Sequence, residues 1–476
     1  MNTEKLLKLY AELKILVPLV VFALAILLMP YILRDNELSL MGREAYNYAR
    51  IAESPISNYD GLSYGGRFLI FNAYPLVLSI ASKIIGSDLI LVSRIMPIFF
   101  GLIALVLFYF VLKKLEADGF TAILASIFLI ISPPFIYMST VSNVYIMPIV
   151  LLLAAFMLLL YNKKLIAYMV FSLTLFFGLT PFLISLALLS IYLIKSKNYK
   201  GLYLILILAM FLIPILKLGL PEFLEFTMLP EGVNFRIQTF IAEFGSETGL
   251  SMFAILLALF GLRQLWDEKY RHLAIYVVVF LLLVISFFEV KALMYLNFIA
   301  AFLVAKGVVR LIYGKWENVT INIIIGMLLV IGLISSLVFY IGFLSDALPN
   351  KEIIESFDFI KQESKENAVV FSYYTKGYWI NYFGRRNNVM DESFFYAPNV
   401  NDRYYDSNTL FYTRNIGEAM KITEKYNIRY IWIDNAMKNG QVWKEEDEGL
   451  LFLLSTSKKF KREYYNNYVE IWKVVR

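Results

Sequence analysis

The sequence predicts a polytopic α-helical membrane protein, with about 11–13 transmembrane helices and a C-terminal mixed α/β domain. Three observations predict it. Of 476 residues, 59% are hydrophobic and only 17% are charged, where soluble chains run nearer a quarter charged. Apolar runs approaching the ~20 residues that cross a bilayer recur throughout positions 1–345. From 346 to 476 the chain turns polar, and strand-like and helix-like patterns alternate.

The first apolar run, 15–33, follows Lys5, Lys8 and Lys14. It is too long for a signal-peptide core and has no small-x-small cleavage site, so a retained first helix is expected. The stretch 68–85 is amphipathic but broken by Asn72 and Pro75, which suggests a re-entrant or interfacial helix. Further runs lie at 88–112, 119–137, 144–161, 165–178, 181–194, 201–218, 250–265, 273–288, 292–312 and 321–343. Gly178 to Pro181 splits the apolar region after Lys164 into two short crossings or a re-entrant pair. With that split, the basic clusters fall in alternate loops and so all on one side: Lys113 and Lys114, Lys163 and Lys164, Lys195 to Lys200, Arg263 to Arg271, and Arg310 with Lys315. The positive-inside rule then puts the N-terminus in the cytoplasm and the protein in the plasma membrane. It leaves loops 34–67 and 219–249 and the domain 346–476 outside. In that domain 368–371 and 429–433 read as strands, 416–426 as a helix, and 461–475 as a hairpin around Asn466 and Asn467.

There are no cysteines, so thiolate chemistry and Cys-bound metals are excluded. The one histidine, His272, sits in a basic loop, which leaves Asp, Glu, Lys and Tyr for proton transfer. The net charge of +6 resides in short loops and does not suggest nucleic-acid binding. Loop 34–67 carries Asp35, Glu37, Glu44, Glu53 and Asp60, with Arg50 and Arg67 as partners or anion ligands. A carboxylate held near low dielectric is a candidate base. Loop 219–249 carries Arg236, Glu243 and Glu247, and Glu243 stands among apolar neighbours, either as a functional acid or as a cap or ion pair. Lys291 lies between two apolar runs, where its ammonium can hold a lipid phosphate or snorkel to the interface. The stretch SYYTKGYWINYFGRR from Ser372 looks like a recognition surface.

Four of these segments, in order, resemble motifs of the catalytic subunits of oligosaccharyltransferases, members of the GT-C superfamily of membrane glycosyltransferases. Ser372 to Tyr378 stands where Ser-Trp-Trp-Asp-Tyr-Gly-Tyr would, and Arg385 to Asp391 resembles the Asn-Arg-Thr-Thr-x-x-Asp stretch that follows. Gly42 to Tyr46 resembles Gly-x-Asp-x-Tyr, Phe240 to Glu243 resembles Thr-Ile-x-Glu, and Lys291 to Tyr295 resembles Arg-Phe-x-x-Tyr. The resemblance implies a GT-C-like transferase that moves a sugar from a polyprenyl-phosphate carrier to a glycan, lipid or protein acceptor at the outer face. It implies Glu44 as base, with Asp60 as second choice. It implies Lys291, Arg236 and Arg67 around the donor phosphate, and Glu243, Tyr64, Tyr373, Tyr374, Tyr378 and Trp379 around acceptor or sugar. Two departures stand out. The loop YMSTVSNVYIMP lacks the family's second metal-binding acid, and Thr375 replaces the acid that reads a glycosylation sequon. Glu44 and Glu243 remain as ligands for an optional Mg²⁺ or Mn²⁺, and a hydroxyl acceptor is favoured over an amide. Alternatives are a true oligosaccharyltransferase and a non-catalytic glycan-assembly homologue.

Overall fold

A computed structural model describes residues 3–34, 39–57, 59–69, 71–115, 117–197, 200–201, 239–266, 269–314 and 319–475. The expected run 201–218 and most of loop 219–249, including Arg236, lie outside the described residues, as do Asp35 and Glu37.

The described residues up to 345 are largely helical. In order they form α1 (Thr3–Leu33), α2 (Glu44–Ala52), α3 (Ala73–Ile85), α4 (Leu89–Lys114), α5 (Gly119–Ile130), α6 (Pro133–Thr140) and α7 (Ile146–Leu160). Then come α8 (Lys164–Ser172), α9 (Leu179–Lys195), α10 (Met252–Leu265), α11 (Lys269–Phe288), α12 (Leu293–Tyr313) and α13 (Val319–Ser345). Among the described residues, stretches within α1, α4 and α13, and one spanning Val290–Tyr313, are long and apolar enough to cross a membrane. The other apolar helices are shorter or bent. The run 119–137 breaks between α5 and α6 by 63°. Pro133 and Pro134 supply no amide donors there, so the helix cannot continue straight. At Gly178, φ is +123°, and the two helices expected around it separate at that residue. Helix α3 has 13 residues, about 20 Å at 1.5 Å each, which is short of a bilayer and fits the interfacial reading of 68–85.

Helices α10 and α12 pack with their backbones nearly touching. A Cβ on Gly261 would lie 1.9 Å from the Leu303 carbonyl, and one on Gly307 would lie 2.1 Å from that of Leu257. Small residues at such crossings are the usual solution where lipid supplies no hydrophobic drive between helices.

The C-terminal part is a five-stranded mixed sheet with α14 (Lys351–Glu363), α15 (Val400–Tyr412), α16 (Ile416–Lys425) and α17 (Leu450–Thr456). The strands are β3 (Val369–Phe371), β4 (Asn387–Asn388), β5 (Ile428–Asp434), β6 (Phe460–Tyr465) and β7 (Val469–Val474), in the order β4-β3-β5-β7-β6. The first three are parallel and the last two close an antiparallel hairpin, with Val469 on one strand following Asn466 of the turn. A short antiparallel pair, β1 (Tyr59–Asp60) and β2 (Arg67–Phe68), ends the first loop.

This sheet domain is seated on the first loop. Leu40, Ala45, Tyr46 and Ala49 share one hydrophobic core with Phe357, Val370, Trp379 and Trp432. Arg34, at the end of α1, donates to the Pro349 carbonyl at 2.7 Å. Arg43, just before α2, pairs with Glu392 in the turn after β4, which brings that turn to the start of α2.

Candidate active site

Glu44 is the first residue of α2, where the helix N-terminus favours a negative charge. Its carboxylate accepts from the Lys291 ammonium, 247 residues away, in a close ion pair. The ammonium also lies 5.1 Å from the ring centre of Tyr145. Tyr145 belongs to the YMSTVSNVYIMP loop, so the segment lacking the expected acid presents an aromatic face to the lysine instead. Beside Glu44, Arg43 Nε pairs with Glu392 Oε1 at 3.1 Å, and Glu392 comes from the sheet domain. The four side chains keep 25% (Glu44), 29% (Lys291), 32% (Arg43) and 20% (Glu392) of their surfaces open, so they line a recess rather than fill a core. Burial pushes the Glu392 carboxyl up to about 7, against the pull of Arg43; Glu44 and Glu247 reinforce the rise, and Lys291 opposes it.

The other expected site residues go elsewhere. Asp60 is buried and takes both terminal nitrogens of Arg50 at 2.6 Å, with Arg67 Nε at 3.6 Å. The Arg50 hydrogen bonds and charges outweigh burial and hold its carboxyl below the usual range. A carboxylate so engaged is a poor base, and Asp60 acts here as an anchor. Arg67 lies between Asp60 and Asp391, the latter at 3.7 Å, and does not reach Lys291's recess as a phosphate ligand. Tyr64 adopts φ +61° and donates its hydroxyl to Asp391, under the guanidinium groups of Arg67 and Arg403. It clamps the two parts of the protein together and is not open to a sugar.

The stretch from Ser372 is packing rather than a surface. Thr375, Lys376, Tyr378 and Trp379 are all buried. The Tyr378 hydroxyl pairs with Ser393 Oγ at 2.5 Å, and Trp379 sits in the shared core. Tyr373, Tyr374, Tyr382, Phe383 and Arg385 stay half-buried, and the Tyr373 and Tyr374 rings lie tilted against each other with centres 4.5 Å apart, packed on the core beneath. Lys376 ion-pairs inside the domain with Asp434 at 2.5 Å. Gly377 cannot be replaced without movement, because a Cβ there would lie 2.4 Å from the Asp391 Cβ and from the Met390 carbonyl.

Glu243 accepts from Ser251 Oγ at 2.7 Å and from the Met252 amide at 3.1 Å, which makes it the cap of α10. These contacts are those of the helix-cap alternative. Glu243→Ala is expected to cost about 1 kcal/mol of stability, lowering the melting temperature in detergent with no change in the pH dependence of activity. A selective loss of activity at unchanged stability would return Glu243 to the site.

The residues also bear on metal binding. Among the described residues, no three His, Cys, Asp or Glu side chains converge. Glu44 already faces the Lys291 ammonium, and Glu243 faces a helix end. A hard divalent ion wants several oxygens at once, and this donor set does not fit one. Sequence reasoning missed Glu392 and Arg43. Arg43 lay inside the motif 42–46 and Glu392 directly after the motif 385–391, and that adjacency was the available signal.

No sequence-family model and no curated protein matches the chain. Solved structures do match in shape. An Archaeoglobus fulgidus oligosaccharyltransferase in its apo form superposes with a TM-score of 0.64 at 15% identity, over 89% of this chain and 70% of that one. Another structure, of the oligosaccharyltransferase AglB from the same organism, holds an inhibitory peptide and a dolichol-phosphate. The arabinofuranosyltransferase AftD from Mycobacteria gives 0.59 at 13% identity, over 98% of this chain and 40% of that one. ArnT from Cupriavidus metallidurans gives 0.54 at 11% identity, over 95% and 97%. The chain is an integral membrane protein built on the GT-C fold of these glycosyltransferases.

Proposed function

We propose that the protein is a membrane glycosyltransferase that moves a sugar from a polyprenyl-phosphate carrier to a hydroxyl acceptor at the outer face. One observation carries the reading: Lys291 and Glu44, far apart in sequence, meet in a partly open recess beneath the sheet domain. The ammonium would take the carrier's phosphate and neutralise the charge that grows as the sugar leaves. Glu44 would hold the ammonium in place throughout. A carboxylate of the recess takes the acceptor's proton. Residues 1–345 would embed the carrier, and 346–476 would cover the site from the extracytoplasmic side. The dolichol-phosphate in the archaeal structure supports a lipid-phosphate donor by analogy of fold. Transfer to a sequon peptide is disfavoured, because Thr375 is buried and offers no carboxylate.

Mass spectrometry of glycolipids and surface glycans tests the reading. A deletion strain is expected to lack one sugar increment, and the wild-type gene restores it. Unchanged glycans in the deletion strain would sink the transferase reading. A sequon peptide glycosylated by the protein would replace it with the oligosaccharyltransferase alternative.

A further inference from the structure

Two carboxylates face the recess, and they are not equivalent. Glu44 is committed to Lys291, the group that must meet the phosphate. Glu392 stands on the other wall, on the sheet domain, with Arg43 at 3.1 Å. Its backbone is fixed with unusual thoroughness. The preceding Asp391 accepts from Ser63 Oγ at 2.9 Å, from the Ser393 amide at 2.8 Å and from the Tyr64 hydroxyl. It also lies against Gly377, which leaves no room to shift. These contacts tie the turn to the first loop, so Glu392 cannot drift from Arg43 and the recess.

We propose that Glu392, rather than Glu44, is the catalytic base of the transfer. The inference rests on the transferase reading and assigns its proton. The acceptor hydroxyl gives its proton to a Glu392 carboxylate oxygen as its own oxygen bonds to the anomeric carbon. The bond from that carbon to the carrier's phosphate oxygen breaks, and its electron pair leaves with the phosphate beside Lys291. Glu392 then passes the proton to water through the open side of the recess. Glu44 is ill-suited to the same task, because taking the proton would uncouple it from the lysine that the leaving phosphate needs. Burial places Glu392 near neutral, where a base is strong enough to take a proton and still ionised part of the time. Among the described residues, the charged and titratable groups around it include Arg43, Glu44, Glu247, Lys291, Lys376, Tyr378 and its neighbour Asp391.

Purified full-length protein, mixed with membranes of the deletion strain as the pool of donor and acceptor, gives the test. Sugar increment is followed by mass spectrometry from pH 5 to 9 for wild type, Glu392→Gln, Glu392→Asp and Glu44→Gln. Wild-type activity is expected to rise with pH through about 7 and level off. Glu392→Gln, which still accepts a hydrogen bond from Arg43, is expected to lose roughly 10²-fold or more and to lose that rise. Glu392→Asp keeps the rise at a reduced rate, which separates lost chemistry from lost folding. Glu44→Gln keeps the rise. Glu392→Gln within about threefold of wild type, or a rise that disappears in Glu44→Gln instead, overturns the assignment. If wild type adds the sugar and Lys291→Met does not, the transferase reading survives that failure; if wild type adds none, both fall.

Discussion

Lys291→Met is expected to lower sugar transfer by about 10²–10³-fold, the range for removing one group that stabilises developing charge. The departing phosphate needs a cation at the moment the bond breaks, and among the described residues no cluster of three acids or histidines is placed to hold a metal in the ammonium's stead. Folding should suffer little. The pair is a quarter or more exposed on both sides, so water screens the orphaned Glu44 carboxylate. Lys291→Arg keeps the charge but swaps a compact ammonium for a wide planar fork, and the Tyr145 ring at 5.1 Å limits the space. It should retain a measurable fraction of activity, with the deficit mainly in donor KM. The measurement is transfer by purified variants into deletion-strain membranes, with melting temperature in detergent as control. Near-wild-type transfer by Lys291→Met would remove the lysine from donor binding, and the recess would lose its claim to be the active site.

The elements that local pattern specifies were legible in the sequence. Strand β5 (Ile428–Asp434) was expected at 429–433, and its continuous apolar run reflects burial on both faces. The hairpin of β6 and β7 and helix α16 were likewise set by turn residues and by amphipathic spacing. What spacing could not show was partnership at long range. Glu44 and Lys291 were assigned to one site only because separate motifs occurred in order, and their ion pair was not foreseen. The aromatic stretch at 373–379 was misread as a surface, because tyrosine and tryptophan are as much at home in a core as at an interface. Only its hydrogen bonds to Ser393 and its packing against Trp432 and Phe357 decide between the two. Asp60 was misread for a related reason. An acid in a loop looks available until Arg50 is seen to face it, and both are residues of the same loop.

Asp434→Ala is expected to destabilise the sheet domain by about 3–5 kcal/mol, the cost of leaving a buried charge without its partner. Lys376 and Asp434 meet at 2.5 Å with 4% of each side chain exposed, so water cannot take over the lysine's charge. Burial already holds the Lys376 ammonium below its ordinary range, against the pull of Asp434. Without the carboxylate the largest pull against burial is gone, leaving only the weaker one of Glu392, and the lysine must lose its proton or the strand end must open to water. Such a loss is a large share of the 5–15 kcal/mol that holds a typical domain together. Trp379, Trp432 and Trp443 are buried in this part of the chain, so tryptophan fluorescence of the full-length protein in detergent reports the transition. Replacing both partners, Lys376→Met with Asp434→Leu, should recover most of the stability, because apolar side chains of similar size suit the site at least as well. A single variant as stable as wild type, or a double variant as unstable as the single, would contradict the pair's role. The same turn underlies the recess. Lys376 leads into Gly377, and Gly377 lies under Asp391, the residue that fixes Glu392. A destabilised Asp434→Ala protein should therefore transfer sugar slowly even below its melting temperature, and the double variant should recover transfer together with folding. The buried lysine at a position where the family resemblance places a tyrosine then has a structural cause: it holds the floor on which the reacting carboxylate stands.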